Sequence, residues 1–505
     1  MRRYYFGIDL GTTNSVIAVY DSFNGSNKTI SVGKSPLLKS MISLAENGEI
    51  QIGKPAGINE TIKDVKSSMG EYGKKYMLGD QEYTPVIVSS MVLKELKRAA
   101  EREFNGTVEV KDVTITVPAK FNHRQRSNTV QAAKLAGLNV ISLINEPTSA
   151  ALAYVENIKR VETALIYDLG GGTFDASLVT ITPKIKGLTL RELKIKTPPV
   201  ENQIVTVICS DGDVNLGGND LDNLIVTLAL EGNTTVFTEE ERREMAKLAQ
   251  QLKEQEKPYV VWHRQGEDET EVIMIEDHFV RASNIVYQRT NSIIKNMLMY
   301  HSTLKINKIV LVGGSTKNQF IKSNLKDDFP GIKIYSDINP DECVALGASK
   351  NSYITLSTDS DTKFFDVSSD TVGVRVLDSE GLIMDRMIEK GTPLPAKFVK
   401  QFYRQRTEQS KITVPVYQGE NKNCRFNALL GEVSIDNIPL NLPLTEPLVC
   451  TFEMDKNGIL VCTIEIAGVK RSVTINSKAS PTASMDKEMK KLMNEFDKIL
   501  QTNDF

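Results

Sequence analysis

The chain lacks long hydrophobic runs, a surplus of either charge sign, and paired cysteines. No stretch approaches the roughly 20 apolar residues that a membrane-spanning helix requires. The apolar Tyr4-Tyr5-Phe6 gives way to polar residues by Asp9, which is too short for the core of a secretory signal. A formal net charge of −3 gives no reason to expect nucleic acid or a membrane surface as partner. Cys209, Cys343, Cys424, Cys450 and Cys462 are odd in number and widely spaced, which fits a reducing compartment better than a disulfide framework. A cytoplasmic protein is expected. A P-loop is missing as well: Gly48 to Lys54 has the glycine and lysine spacing, but Pro55 stands where a magnesium-binding hydroxyl is needed. That segment reads as a strand hairpin, and any nucleotide site lies elsewhere.

Two short segments share one design. Phe6-Gly7-Ile8-Asp9-Leu10-Gly11-Thr12-Thr13-Asn14-Ser15 recurs in kind as Ile166-Tyr167-Asp168-Leu169-Gly170-Gly171-Gly172-Thr173-Phe174-Asp175. Each is an apolar run ending in an acid, then Leu-Gly, small residues and a return strand. Such a hairpin tip brings backbone N–H groups to a phosphate, with an aspartate nearby for a hydrated cation. Two of them suggest two lobes gripping a nucleoside triphosphate. Asn145-Glu146-Pro147 places a carboxylate at a helix start, and Gly217-Gly218 and Gly313-Gly314-Ser315 are further turns where backbone can approach a ligand.

Strands and amphipathic helices alternate up to about residue 356, including a helix expected over 89–104 and one opened by a capping box at Thr238-Glu239-Glu240-Glu241. This is an α/β pattern with mixed sheets. A small, polar stretch at 357–362 reads as a linker, although Phe364 and Phe365 follow at once. Beyond it, period-two runs (Val372, Val374, Val376; Ile412, Val414, Val416; Ile459, Val461, Thr463) indicate an all-β sandwich to about residue 476. One amphipathic helix is expected over 484–500, carrying Met485, Met489, Leu492, Phe496 and Ile499.

On these motifs the chain resembles the DnaK-type, seventy-kilodalton heat-shock chaperones of the actin-like ATPase superfamily. The likeness covers residues 6–476 and is most specific at 7–15, 117–121, 144–154, 168–175, 211–222, 311–316 and 338–348. The short stretch between Met69 and Tyr83 is similar to the HscC branch. The resemblance implies an actin-like two-lobed ATPase over 1–357, a linker at 358–367, a β-sandwich substrate domain over 368–477, and a short C-terminal helix over 478–505 in place of a full lid. It implies ATP or ADP, Mg2+ and K+ as cofactors, and unfolded or extended polypeptides as clients. A J-domain co-chaperone and a nucleotide exchange factor are expected partners.

The family's roles fall on matching positions. Asp9 and Asp168 would hold magnesium through water, with potassium around Asp9, Asp168, Thr173 and Asp175. Gly11, Thr12, Thr13, Asn14, Gly170, Gly171, Gly172 and Thr173 would cradle phosphates. Gly217, Gly218, Lys253, Gly313, Gly314, Ser315 and Asp341 would line the rest of the nucleotide. Lys66 would point at the γ-phosphate and Glu146 would orient the attacking water; a solvated surface lysine is the competing reading for Lys66. Pro118 and Arg126 match a proline switch that relays nucleotide state through a Pro–Arg–Glu cluster to the docking linker Phe364-Phe365-Asp366. Ile383, Met384, Phe402, Ile412 and Val414 align with a peptide cleft, though strand alternation alone would make most of them core.

Departures concentrate on the adenine side. Gln250 replaces the family's Glu, Glu254 the Arg that stacks on the base, Lys257 a Ser, and Lys317 an Arg; Ser142 replaces the Arg that engages J-domains. These changes keep a second reading open, a nucleotide-binding regulator or exchange-factor-like relative with little hydrolysis. A glutamate cannot supply the stacking and cation–π contact of a guanidinium. ATP should therefore bind with a dissociation constant of roughly 1 µM or weaker. Isothermal titration checks this, and a clearly submicromolar value contradicts it.

Overall fold

Both acid-tipped segments fold as hairpins, and each starts a sheet assembled in the same order. The computed structural model describes residues 3–55, 61–154, 160–183, 203–255, 257–264, 269–336, 338–358, 360, 362–378 and 381–474. The helix expected over 484–500 lies outside them.

In the first half, β1 (Tyr4–Leu10) returns as β2 (Asn14–Asp21), followed by β3 (Ser26–Thr29) and β4 (Leu38–Lys39). A side sheet holds β5 (Met41–Leu44), β6 (Ile50–Ile52) and β7 (Thr61–Lys63), next to the hairpin of β8 (Tyr76–Leu78) and β9 (Gln81–Tyr83). The P-loop look-alike is the β5–β6 hairpin, with Ile42 opposite Ile52. Helix α1 (Pro85–Glu103) starts four residues before the expected Ser89, because Thr84 accepts from the Ile87 N–H and Pro85 occupies the first turn. Then come β10 (Asp112–Val117), α2 (His123–Leu135), β11 (Asn139–Asn145) and α3 (Glu146–Ala153).

The second half repeats the plan with β12 (Glu162–Leu169), β13 (Phe174–Ile181) and β14 (Gln203–Asp213). It continues through α4 (Gly218–Ala229), α5 (Glu239–Gln255), β15 (Tyr259–Arg264), β16 (Thr270–Ile275), α6 (Glu276–Tyr300), β17 (Lys308–Val312), α7 (Gln319–Asp328), β18 (Lys333–Tyr335), α8 (Cys343–Leu356) and β19 (Thr362–Phe365). The capping box at α5 forms as expected, Thr238 and Glu241 bonding each other's backbone N–H. The first sheet runs β11-β10-β1-β2-β3 and the second β18-β17-β12-β13-β14-β19. In both, the central hairpin is antiparallel and its first strand pairs in parallel with a later one. Helix α8 binds the halves together by packing on β1 and crossing α3. Gly347 permits that crossing, since a Cβ there would lie 1.6 Å from the Ser149 carbonyl oxygen.

The remaining described strands are β20 (Val372–Asp378), β21 (Gly381–Ile388), β22 (Ala396–Phe402), β23 (Ile412–Gln418), β24 (Ala428–Ile435), β25 (Leu448–Met454), β26 (Leu460–Ile466) and β27 (Val469–Thr474). They form two antiparallel sheets, β21-β20-β23-β24 and β22-β25-β26-β27, around one apolar core. In β26 the core face is Leu460, Cys462 and Ile464, the opposite face from the expected Ile459, Val461 and Thr463. Val461 and Thr463 make the other face apolar or small as well up to Glu465, so alternation marks two faces without saying which one turns inward.

The expected linker is itself a strand. β19 extends the second sheet, pairing in parallel with β14 from Gln203–Thr362 to Thr206–Phe365. Phe364 packs inward while Phe365 stays exposed. Asp366 is buried: it accepts from Asn145 Nδ2 at 3.0 Å and from the Val367 N–H at 2.8 Å. Asn145 in turn accepts from Arg126 Nη2 at 2.7 Å. The sandwich docks beside this chain of bonds, the Leu143 N–H donating to Asn457 Oδ1 and Lys120 meeting both Asp211 and Asp370 at 3.0 Å. Removing one member of a buried charged network typically costs about 3–5 kcal/mol. Asp366→Ala should therefore release β19, seen as faster amide exchange at 203–206 and 362–365 with the sheet centres unchanged; unaltered exchange there would count against the linkage.

Candidate active site

The hairpin register sets the acids. Asp9 pairs with Val16 one step before the turn, whereas Asp168 stands directly opposite Asp175 in its own hairpin. Two like charges facing each other across a ladder destabilise it unless a cation is near. The tips meet across the cleft: a Cβ on Gly171 would lie 2.1 Å from Thr13 Oγ1, so only glycine fits. Ser40 braces the first tip by donating to the Gly11 carbonyl at 2.7 Å. Helix α4 braces the second, with the Gly218 and Asn219 N–H groups on the Gly170 and Gly171 carbonyls. Ser315 Oγ donates to the same Gly170 oxygen at 2.9 Å.

Between the tips lies a cleft of about 530 Å3. It is lined at one end by Asp9, Gly11, Thr12, Thr13, Asn14, Lys66, Glu146, Asp168, Gly170, Gly171 and Thr173. The other end is formed by Gly218, Gln250, Lys253, Glu254, Phe279, Gly313, Gly314, Ser315, Lys317 and Asp341. Gly172 lies against Thr12 and Gly217 against Gly172 at its edge. Nearly all the residues picked out for a nucleotide therefore share one cavity.

Lys66 is no surface lysine. It is buried and ion-paired with the equally buried Glu146, and its ammonium stands 5.8 Å from the Phe121 ring centre. Burial alone would lower this ammonium, but Glu146 and Asp9 outweigh it and hold its pKa above the ordinary value. Burial raises all four carboxylates. Asp9 rises to about 6, helped by Glu146, while Thr116 Oγ1 donates to it at 2.6 Å. Asp175 also rises to about 6 despite Lys66 and the Ala119 N–H at 3.0 Å. Asp168 goes well above its usual range, through burial first and then Glu146, Asp175 and Asp9. Glu146 is raised by burial against the pull of Lys66. The site thus holds more negative charge than one lysine neutralises, and its hard oxygen donors suit a small divalent cation. Among the described residues no three acidic, histidine or cysteine groups converge to ligate an ion directly.

At the far end, Lys253 meets Asp222 at 2.7 Å and Lys317 meets Asp341 at 2.6 Å. Glu254 is exposed and accepts from Gln250 Nε2 at 2.8 Å. Among the described residues no arginine lines this end.

A family model described as "Hsp70 protein" matches residues 5–504. The chain belongs to the Hsp70 family. It is 31% identical over 509 residues to proteins called chaperone protein DnaK in two strains of Halobacterium salinarum, covering 96% of this chain and 76% of each relative. This Hsp70 is accordingly an ATP-dependent chaperone and an ATPase.

The other expected positions fall in three places. Pro118 ends β10, between Thr116 on Asp9 and Ala119 on Asp175. Arg126 does not pair with Glu146, whose carboxylate is taken by Lys66; its guanidinium binds Asn145 and the Phe121, Ala119 and Asn457 carbonyls instead. Of the cleft candidates, Val414 lies in the sandwich core, Phe402 and Ile412 pack against that core, and Met384 is buried with Ile383 half-buried beside it. Thr116, Asn145, Asp222 and Asn457 carry contacts the sequence did not single out; only Asn145, adjoining Glu146, had a local signal.

Asp9 and Asp175 titrate near 3.8 when unfolded and near 6 when folded, so the native state holds the extra protons between those values. Native stability from these groups therefore falls as pH rises from about 4 to about 6. Asp9→Asn removes one of them, so its melting temperature should gain on the parent's by a few degrees across that window. Differential scanning fluorimetry without nucleotide checks it; a constant difference would refute the assignment.

Proposed function

We propose that the twin hairpins clasp the phosphates of ATP and that Lys66 supplies the positive charge its cleavage needs. The carrying observation is the buried Lys66–Glu146 pair beside Asp9 and Asp168 at the glycine-lined end of the cleft, with Asp175 opposite Asp168 in its hairpin. Asp9 and Asp168, at matching places in the two hairpins, would hold Mg2+ through water, with K+ near Thr173 and Asp175. Held there, such cations would supply positive charge to offset that developing on the phosphates during cleavage. Gly11, Thr12, Thr13, Asn14, Gly170, Gly171, Gly172 and Thr173 orient the triphosphate; Gly217, Gly218, Lys253, Gly313, Gly314, Ser315 and Asp341 hold its nucleoside. Glu146 fixes Lys66 and orients the attacking water. Positioning and charge neutralisation are most of what phosphoryl transfer asks of a protein.

In this reading residues 1–357 are a two-lobed actin-like ATPase, 358–367 a linker, and 368–477 the client-binding sandwich. Phe364 on β19 and Asp366 just after it transmit nucleotide state through Asn145, Arg126 and Pro118, while Phe365 stays exposed. Clients enter between the edge strands β21 and β22, where Ile383 and Phe402 lie; Met384, Ile412 and Val414 support that mouth from below. Each buried client side chain contributes roughly 1.5–3 kcal/mol, so affinity is modest and sequence-tolerant. A J-domain protein and an exchange factor complete the cycle.

Lys66→Ala should lower single-turnover hydrolysis by about 10²–10³ while leaving ATP binding within a few-fold, the scale for losing one charge-stabilising group. Turnover at the parental rate would remove Lys66 from the mechanism.

A further inference from the structure

The sandwich distributes its charge unevenly, and the uneven part borders exposed apolar surface. Between residues 397 and 425 stand seven basic residues against two acidic ones, Glu408 and Glu420. Three of the basic groups are neutralised: Lys397 by Glu453 at 2.7 Å, Lys400 by Asp385 at 2.7 Å and Lys411 by Asp436 at 3.1 Å. The arginines are not. Arg404 is buried yet meets only the carbonyls of Thr407, Leu442 and Pro443, and its Nε has no partner. Arg425 lies over the exposed Phe426 ring at 4.6 Å. Arg406 is exposed and has no ion pair among the described residues. Glu420 is occupied by Thr371, which donates both its N–H and its hydroxyl to it.

Strand register brings these charges to one opening. Phe398 and Phe402 stand opposite Phe452 and Leu448, so both point into the space between the sheets. Phe398 nevertheless remains 45% exposed, because β22 is an edge strand. β21 is the edge of the other sheet, and the Lys400–Asp385 pair joins the two edges. The turn carrying Arg425 runs along β21, where Ile383 bridges Asn423 and the Met384 N–H donates to the Lys422 carbonyl. The loop carrying Arg404 and Arg406 leaves the end of β22, next to the exposed Tyr403. The apolar mouth is thus flanked by uncompensated arginine on both sides.

We propose that this mouth selects extended apolar segments flanked by acidic residues. The inference rests on the sandwich being the client-binding part and specifies the chemistry of the client. Apolar contacts supply the common affinity; charge across the rim sets discrimination and encounter rate, and a basic flank is repelled. Salt screens such rim charges over about 8–10 Å at physiological strength, so selectivity fades as salt rises.

Fluorescence anisotropy on the full chain with ADP tests this, using two labelled peptides with one seven-residue apolar core, flanked by aspartate and glutamate in one and by lysine and arginine in the other. The acidic-flanked peptide should bind roughly five- to tenfold tighter at low salt, the gap narrowing at high salt. The double variant Arg406→Glu/Arg425→Glu, both exposed, should abolish or invert the preference. Equal binding, or tighter binding of the basic-flanked peptide, overturns the selectivity and leaves client binding standing. Failure of both peptides to bind removes the client-binding reading and the selectivity with it.

Discussion

One ammonium group stands against four carboxylates, three buried and Asp9 half-buried, and the two sheet-centred units exist to hold that imbalance. Asp9 comes from the first hairpin, Asp168 and Asp175 from the second, Glu146 from the start of α3 and Lys66 from the loop beyond β7. No single element could place them together, because like charges so close repel unless rigid backbone prevents their separation. Duplicated sheets solve this. Each hairpin is locked by a parallel neighbour, β10 on β1 and β17 on β12, and the glycine crossing of α3 and α8 fixes the halves against each other. In the proposed function, the resulting crowd of carboxylates would be relieved by a cation and a polyphosphate arriving together.

The same residues explain how the sandwich can sense the site. The end of β10 bonds both acids, through Thr116 to Asp9 and through Ala119 to Asp175, and Pro118 stiffens the stretch between. Arg126 bonds the Ala119 carbonyl on one side and Asn145 on the other. Asn145 directly precedes Glu146 and bonds Asp366 on the linker. A shift of either acid therefore displaces atoms that hold β19. In the proposed cycle the element with two arrangements would be that edge strand, paired with β14 here and released in the other state.

Much of the site was legible because its signals are local. Asp-Leu-Gly after an apolar run specifies a hairpin and its acid together, and that pattern occurred twice. The remainder depended on long-range partners. Asn145 and Asp366 are 221 residues apart, and Leu143 and Asn457 are 314 apart, so neither asparagine looks unusual in its own segment. The Pro–Arg–Glu cluster left its glutamate without a number, and adjacent residues of the helix start point different ways, Asn145 toward Arg126 and Glu146 toward Lys66. The linker expected over 358–367 contains the edge strand Thr362–Phe365, held to β14 by backbone bonds that side-chain composition does not report. For Val414, period-two alternation correctly gave a strand but could not distinguish core from cleft.

The adenine-side departures fit this division of labour. Lys253 and Lys317 are each committed to an aspartate, and Glu254 is tied to Gln250, so the far end of the cleft offers side chains already satisfied by one another. A base entering there must compete with existing bonds and finds no guanidinium face to stack on. The phosphate end is the reverse: its glycine tips present backbone N–H groups and its buried charges lack sufficient counter-charge. Under the proposed binding mode, binding energy would therefore be concentrated on the triphosphate. That is also where hydrolysis changes the ligand most, so the loss of one phosphate removes a larger share of the total than it would if the base were firmly gripped. Weak hold on the nucleoside and strong response to cleavage are two consequences of the same distribution of charge.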